Sequence, residues 1–500
     1  MGKIITAYLG ILCLLLLWVN LAAGEELTLP VAERMALENN LELKAQTYQT
    51  LISESMVRKG YGIYDPLLSG GYKEGSSSQQ FNETYFTGKV TDRYSVFEAG
   101  ISQLLPTGAT LSATWSDRRD DFTPQPLLNP AYAGDLKFSL VQPLLKGFGS
   151  LVTEQDILFA IKDREASLQD FRQKAFDVLV QVRQTYFNVL RYRDTVRSKE
   201  TSVELAQKVL DENQARLKAG IMAPIQVLEA EVGLKTRQQD LLTARQQYQD
   251  ALDQLALVLN LRSLSQVANE SLSVPEFHGN EEAGFKAAQD RRPDLLRQRQ
   301  VLEKTALQQK VAHNQLLPGL DLSASYGHAT LENSFGSSVG QLGSSDLNSW
   351  EVGLTLSYPI GNREARQAYV QTQLERRSQQ AVLNQQEEQV RNEIRVAIRQ
   401  LQVSRDSLEL AQSSKVLAEE KLKILLKRKD VGLATTRDVL EGEDDLAIAR
   451  TGEISAMADY NIALTDYWRA TGVLLEHENV RFTGSLDSDS DRPLLQMENL

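Results

Sequence analysis

The chain has 500 residues, a net charge of −12, a mean hydropathy of −0.32 and a single cysteine, Cys13. The acidic balance argues against a nucleic-acid partner, because phosphate binding needs a basic face. One cysteine excludes a disulfide framework and a thiolate metal centre. Four scattered histidines offer little material for a metal site: His278, His313, His328 and His477.

Residues 1–24 have the pattern of a secretory signal peptide. Lys3 provides the positive start, residues 4–19 form an almost unbroken apolar run, and Ala22-Ala23-Gly24 provides small residues for cleavage. The mature chain is therefore expected to start near Glu25 in a bacterial envelope, and Cys13 leaves with the signal. A retained membrane anchor is the alternative, although the run is short of the ~20 residues of a span.

A helix over 25–60 and a strand segment over 61–147 are predicted next. The strands are expected near 66–73, 93–104, 109–116 and 136–142, with one hairpin turned at Pro106-Thr107-Gly108. Leu111, Ala113 and Trp115 alternate with small polar residues, and this period of two gives a strand one apolar face and one polar face.

The stretch 148–262 is predicted as a long helical hairpin. No proline interrupts residues 151–220, so the first helix would be a rod of roughly 100 Å. Apolar side chains recur at steps of three and four, the spacing of an amphipathic coiled-coil helix. The stripe comprises Leu168, Phe171, Ala175, Val178, Val182, Tyr186 and Val189.

A linker and helix over 263–317 lead into a second strand hairpin over 318–362, with strands near 318–328 and 350–359. The alternating apolar faces end in Tyr326 and Tyr358, as expected for an aromatic girdle at a lipid–water boundary. A soluble sandwich with one wet face is the alternative for all these strands.

A second helical hairpin is predicted over 363–475, followed by a disordered tail over 476–500. The tail carries acids at the ligand spacing of a calcium loop: Asp487, Asp489, Asp491 and Glu498. Arg492 occupies the position that such a loop needs as glycine, so a disordered acidic tail is favoured.

The two halves repeat each other. Residues 216–231 align with 428–443 at a constant offset, which pairs Gly220 with Gly432. Each glycine is predicted to end a helix in the left-handed conformation, and Pro224 or the pair Thr435-Thr436 begins the next helix. Each half therefore reads strands, long helix, glycine turn, long helix. Such hairpins leave apolar stripes uncovered, which indicates a symmetric oligomer.

Several motifs resemble those of TolC-type outer-membrane efflux proteins. They are Gly-Leu-Ala-Thr-Thr-Arg-Asp-Val-Leu-Glu (432–441), Arg-Pro-Asp-Leu (292–295), Tyr-Pro-Ile (358–360) and the opening segment 27–40. The resemblance covers residues 27–475. It implies a mainly α fold with a β-barrel part, in which long coiled-coil hairpins form an α-barrel and a homotrimer shares one transmembrane barrel.

The resemblance also implies a function. It is passive export through an outer-membrane duct of a tripartite efflux pump or a type I secretion system, with the helical part in the periplasm. The implied partners are further copies of the chain, a periplasmic adaptor protein, an inner-membrane transporter and outer-membrane lipid. No cofactor, metal or enzymatic activity is implied. Family members usually have two strands per half, whereas four are predicted in the first half here; the extra hairpin would widen the barrel or fold over its mouth.

Asp438 and Glu441 are the candidate residues of the periplasmic aperture. They lie three apart on the helix after the second tip, so they share a face, and the resemblance aligns them with acidic aperture positions. Stacked rings of carboxylates favour cations and could hold divalent metal ions. The alternative is a solvated acidic face that continues through Glu443, Asp444 and Asp445.

Gly220, Ile221, Gly432 and Leu433 are the candidate adaptor contacts. A tight glycine turn lets backbones approach, and each tip offers one apolar side chain. The alternative is a simple helix stop. For the whole chain, the rival interpretations are a soluble periplasmic coiled-coil scaffold and an envelope hydrolase, the latter without any catalytic constellation in the sequence.

Overall fold

The computed structural model describes residues 27–83, 86–124, 126, 128–277, 279–478, 480–482 and 495–497. The expected signal peptide 1–24, with Cys13 and the cleavage site before Glu25, lies outside the described residues. His278 and the acidic tail residues Asp487, Asp489, Asp491 and Glu498 lie outside them too.

Long helices and a sheet of long strands make up the described chain. The helices are α1 (Leu29–Asn39), α2 (Leu41–Tyr61), α3 (Ser150–Thr153), α4 (Gln155–Lys218), α5 (Pro224–Val258), α6 (Glu281–Arg291), α7 (Pro293–Asn314), α8 (Phe335–Gln341), α9 (Arg363–Asp430), α10 (Thr436–Thr471) and α11 (Leu474–His477). The strands are β1 (Leu67–Glu83), β2 (Phe86–Leu104), β3 (Thr110–Thr123), β4 (Ala131–Pro143), β5 (Gly319–Glu332), β6 (Asn348–Ser357), β7 (Val480–Phe482) and β8 (Leu495–Met497).

Helix α4 has 64 residues, which gives it a length of ~96 Å. Its predicted apolar stripe is confirmed from Phe171 to Val189: all six of these side chains are buried, and Leu168 is partly buried. The stripe packs against α1, α5 and α10 in one cluster, which contains Tyr186 and Leu255. In a second cluster, which contains Phe171, it packs against α1, α2 and α11. Coiled-coil spacing in the sequence therefore corresponds to real helix packing.

Strands β1 to β6 form one antiparallel sheet in chain order. The turn at Pro106-Thr107-Gly108 is confirmed, because Gly108 N donates to Leu105 O (2.9 Å) and Gly108 has φ of 88°. The extra hairpin of the first half is thus part of the sheet and does not fold over it. Most strands also run further than predicted; β1, for example, continues ten residues past the expected end at residue 73.

The sheet has two chemically different faces. One row of directly paired residues crosses all six strands on one face: Leu68, Ile101, Ala113, Phe138, Tyr326 and Trp350. The adjacent row on the opposite face is polar or small: Ser69, Gly100, Thr114, Lys137, Gly327 and Ser349. Because side chains alternate across a strand, the sheet has an apolar face and a polar face at the level of these two rows.

The chain divides into two compact units. The first comprises the described parts of 1–49, 168–296 and 385–500, and it holds the buried helical clusters. The second comprises 50–167 and 297–384 and contains the six-stranded sheet. Among the described residues, no helix has both the length and the apolar character needed to cross a membrane.

Two expectations differ from the structure. The predicted single helix over 25–60 is two helices, because the Asn40 side chain accepts hydrogen bonds from Glu42 N (2.9 Å) and Leu43 N (3.0 Å) and begins α2 there. The tail, expected to be disordered from 476, begins with the end of α11 and strand β7. This strand pairs with β8, and Val480 is buried against Leu474 and Leu475.

Candidate functional site at the helical hairpin tips

The two hairpin tips have the same backbone geometry. Gly220 and Gly432 have φ of 74° and 76°, as predicted for a left-handed helix end. After the first, Ile221 N donates to Arg216 O (3.1 Å); after the second, Leu433 N donates to Arg428 O (2.8 Å). The duplication seen in the sequence is therefore a duplication of the turn itself.

Both tips expose one large apolar side chain directly after the glycine. Ile221 is 75% exposed and Leu433 is 68% exposed. A side chain added at either glycine would meet nothing within 4 Å. The tips are open surfaces, with apolar groups facing solvent in the single chain.

Asp438 is engaged in the start of α10. Its Oδ2 accepts from Thr435 N (2.7 Å) and from Thr435 Oγ1 (2.8 Å), while Asp438 N donates to Thr435 Oγ1 (3.1 Å). This reciprocal pattern is a capping box. The hydrogen bonds from Thr435 lower the pKa of Asp438, so the carboxylate stays charged in mildly acidic solution.

Glu441 lies one turn further along α10 and is exposed. It shares a helix face with Asp438, whereas the adjacent Val439 and Gly442 are buried. The two predicted aperture residues are thus neighbours on one face of α10, with Asp438 partly exposed and Glu441 exposed.

Glu443 corrects the sequence-based grouping of acids. The alternative to the aperture was a solvated acidic face that includes Glu443, Asp444 and Asp445, but Glu443 is buried and accepts from Arg237 Nε (2.7 Å). Arg237, also buried, donates to Asp444 (2.6 Å) and to Leu440 O (3.0 Å) as well. Burial on its own would lower the pKa of Arg237, but Glu443 and Asp444 raise it. The cluster joins α5 to α10 and so connects the two hairpins.

Further contacts join the hairpins closer to the turns. Asn213, fully buried, donates to Thr436 Oγ1 (2.9 Å). Lys429 is buried, and its Nζ lies 3.8 Å from Glu212. Burial lowers the pKa of this lysine. The positive charge of Arg216 also lowers it, whereas the negative charge of Glu212 raises it. Arg216 in turn pairs with Asp430 at 3.5 Å.

Sequence reasoning missed these inter-hairpin contacts. One signal was available: Glu443 follows Val439 by four residues and precedes Leu446 by three, which assigns it to the buried stripe of α10. A charge on such a stripe requires a partner. The identity of Arg237 as that partner, on another helix, was not visible in the pattern.

Among the described residues, no group of three or more His, Cys, Asp or Glu side chains is arranged to hold a metal ion. The chemistry available at the tips is therefore charge, hydrogen bonding and apolar contact.

Comparison with known proteins assigns the class. The family described as "Outer membrane efflux protein" matches residues 138–261 and 285–473. The chain is similar to Outer membrane protein TolC of Escherichia coli (strain K12), with 25% identity over 341 residues, which are 65% of this chain and 68% of the relative. It is 23% identical over 341 residues to Outer membrane efflux protein BepC of Brucella suis biovar 1 (strain 1330), covering 68% and 72%.

The fold is that of solved outer-membrane channels. The crystal structure of the Campylobacter jejuni CmeC outer membrane channel aligns with a TM-score of 0.61 at 17% identity, covering 90% of this chain and 89% of that one. The chain belongs to the outer membrane efflux protein family. It is therefore a transport protein of the bacterial outer membrane with its helical part in the periplasm, and the soluble-scaffold interpretation is not supported.

Proposed function

We propose that the chain is a passive exit duct, closed at its hairpin tips until a pump docks there. The observation that carries this proposal is the two-faced sheet. The apolar face of β6 extends from Trp350 to Tyr358, which directly follows the strand. In extended conformation this distance is ~27 Å. The lipid-facing band of a transmembrane barrel is about 25 Å tall with aromatic borders, and the polar face would then line a water-filled lumen.

The functional unit we propose is a homotrimer. In the described sheet, β1 and β6 each pair with one neighbour, so both edges are available to another copy. Six strands are too few to enclose a wide pore, whereas three copies would supply eighteen. The extra hairpin in the first half would thereby enlarge the shared barrel.

The helices support the same assembly. Helix α9 exposes an apolar residue at every seventh position, a stripe separate from its buried one. This exposed stripe is Val396, Val403, Leu410, Leu417 and Ile424. Helix α5 exposes a shorter one with Ile225, Leu228 and Val232. Neighbouring copies that cover these stripes would complete a closed helical cylinder, the α-barrel.

The closed state has two parts in this proposal. Asp438 and Glu441 from three copies form carboxylate rings at the periplasmic aperture, which select for cations. The Arg237–Glu443–Asp444 cluster and the Asn213–Thr436 bond hold the two hairpins of each copy together. Opening requires one hairpin to move away from the other, and these buried polar contacts oppose that movement.

The tips are the proposed docking points for an adaptor protein that connects the duct to an inner-membrane transporter. Gly220 and Gly432 give close backbone access, and Ile221 and Leu433 provide exposed apolar groups. The cargo is moved by the pump and passes through the duct without reaction, so no catalytic residue is assigned.

The experiment is to purify the protein in detergent, measure its oligomeric mass, and record its conductance in a planar lipid bilayer. We expect a trimer that inserts and gives small, cation-selective currents. A protein that stays soluble without detergent and never inserts would overturn the duct. A conducting monomer or dimer would keep the duct and overturn the shared barrel.

A further inference from the structure

The connection between β5 and β6 carries helix α8, which lies on the apolar side of the sheet. The helix contacts Asp117, Gly134 and Thr330. Gly134 pairs with both Asp117 and Thr330, and all three are even steps along their strands from Ala113, Phe138 and Tyr326 of the apolar row. They therefore project from the apolar face, just beyond its aromatic border at Trp115.

Helix α8 is held on the sheet by buried polar contacts of Ser338, which we call the seat of the helix. Ser338 is fully buried and donates to Asp117 Oδ2 (2.6 Å), while its Oγ lies 3.0 Å from Thr330 Oγ1. Asp117 is itself only 3% exposed. Gly134 is required here, since an added side chain would come within 2.6 Å of both hydroxyls. Leu342, just after the helix, is also buried.

Next to the buried Ser338, α8 exposes apolar side chains. Phe335 and Val339, one turn apart, are 48% and 40% exposed, and Leu347 before β6 is 57% exposed. The Phe335 ring lies 6.1 Å from that of Trp115, so the apolar surface of the sheet continues onto the helix without a break. In a loop that is surrounded only by water, such exposed apolar residues would not add to stability.

We infer that α8 is an interfacial foot, by which we mean that residues 335–347 rest in the headgroup region of the outer leaflet and fix how deeply the sheet sits in the membrane. The partner is the lipid surface itself. Short apolar segments seated at the border of a membrane bind at the boundary between headgroups and acyl chains. This inference rests on the proposed orientation of the sheet in the outer membrane.

The position of α8 supports lipid as the occupant. The apolar face of β6 ends at Trp350. Helix α8 ends at Gln341, a short distance before this residue in the chain. Beyond this level β3 continues with Arg118, Arg119 and Asp120, so both faces of the sheet become polar. The foot thus lies at the boundary between the apolar band and water. Aromatic residues are enriched at this boundary in membrane proteins.

The test uses three single-cysteine variants of the full chain, in a background with Cys13→Ser. A polarity-sensitive fluorophore is attached at Val339→Cys on the foot, Leu354→Cys in the apolar band, or Ser78→Cys on the polar extension of β1. The proteins are inserted into phosphatidylcholine–phosphatidylglycerol vesicles. Quenching is measured with aqueous iodide and with lipids that carry a spin label near the headgroup or deep in the chain.

We expect the label at 339 to be quenched best by the shallow spin label and several-fold less by iodide than the label at 78. The label at 354 should respond best to the deep spin label. If the label at 339 is quenched like the label at 78 while the label at 354 stays in lipid, the inference about the foot is overturned and the proposed duct is retained. Protection of 339 from all quenchers would mean a protein occupant and would also overturn the foot. Iodide access at 354 would overturn the orientation of the sheet itself.

A second variant tests the seat. Ser338→Ala with Asp117→Ala, in the Val339→Cys chain, should increase iodide access at 339 severalfold and leave the matched label at 354 unchanged. An unchanged response at 339 would show that the hydrogen bonds of Ser338 do not hold the foot.

Discussion

The two hairpin tips repeat each other in sequence, and their backbones match. Gly220 and Gly432 differ by two degrees in φ, and the hydrogen bonds that close the two turns join equivalent residues. The starts of the following helices differ. Helix α5 begins at Pro224 after Ala223, without a side-chain cap, whereas α10 has the capping box of Thr435 and Asp438.

The charges at equivalent positions also differ. Glu443 is buried against Arg237, while its counterpart Glu231 in the first hairpin is exposed. Lys429 is buried in the second tip, where the first has Leu217. Gln226 stands where the second tip has Asp438. The turn is thus the structural element that both tips share, whereas the capping box, the buried Glu443 and Lys429, and the acid at position 438 belong to the second tip alone.

The largest effect is expected for Arg237→Met. Removing one partner of a buried ion pair costs about 3–5 kcal/mol, because Glu443 is left charged and unpaired. The hairpins should separate more readily, and single-channel conductance should rise several-fold with a lower melting temperature. Arg245→Met on the same helix is the matched control; it removes an exposed pair with Glu200, which is worth about 0–1 kcal/mol. Equal effects of the two variants would contradict a role for the buried cluster.

The shared turn geometry predicts equal costs for Gly220→Ala and Gly432→Ala. A left-handed φ costs an L-residue about 1–2 kcal/mol, and the two glycines have the same conformation. Gly452→Ala is the control, since this helical glycine has free space around it and should gain about 0.5–1 kcal/mol. Melting temperatures and proteolysis at the tips would measure this. A clear difference between the two tip variants would break the equivalence.

Capping should matter at one tip alone. Thr435→Ala removes the side chain that accepts from Asp438 N and should cost about 1 kcal/mol. Ala223→Ser places a capping side chain before α5 and should stabilise the first tip by a similar or smaller amount. Proteolysis rates at the tips compare the two. A stabilising Thr435→Ala would mean that the capping box does not hold the start of α10.

The smallest effect concerns pH. The pKa of Lys429 is lowered from 10.5 by burial, so the unfolded chain binds this proton at a higher pH than the folded one. The contribution of Lys429 to stability is therefore lost as pH falls below 10.5 towards the lowered pKa. Lys429→Leu, which copies the first tip, should flatten the alkaline part of a melting-temperature profile. An unchanged slope would show that Lys429 is solvated in the protein.

Local patterns predicted much of this fold. Period-two alternation indicated three of the six strands of the sheet, those that contain Trp115, Tyr326 and Val352, and coiled-coil spacing and the two glycines indicated the hairpins. The far ends of the strands were missed because both faces become polar there, as at Arg118 and Arg119, and the alternation that marks a strand is lost.

Pairings between distant elements could not be predicted. Arg237 and Glu443 are 206 residues apart, and Asp117 and Ser338 are 221 apart. The sequence of each helix or strand specifies which face is buried, but not which residue of another element lies opposite. Asp438 was predicted only as an acid at a helix start, and its reciprocal hydrogen bonds with Thr435 are seen in the structure.

We propose that acidic side chains of the second tip form the aperture of an outer-membrane duct. The most direct test is cation selectivity of single channels in planar bilayers for Asp438→Asn/Glu441→Gln. Glu229→Gln alters the equivalent of Glu441 in the first tip, and Thr435→Ala removes the cap while keeping both acids. We predict that the double variant loses selectivity and that both controls retain it. Unchanged selectivity in the double variant, or equal loss in Glu229→Gln, would show that Asp438 and Glu441 do not form the aperture.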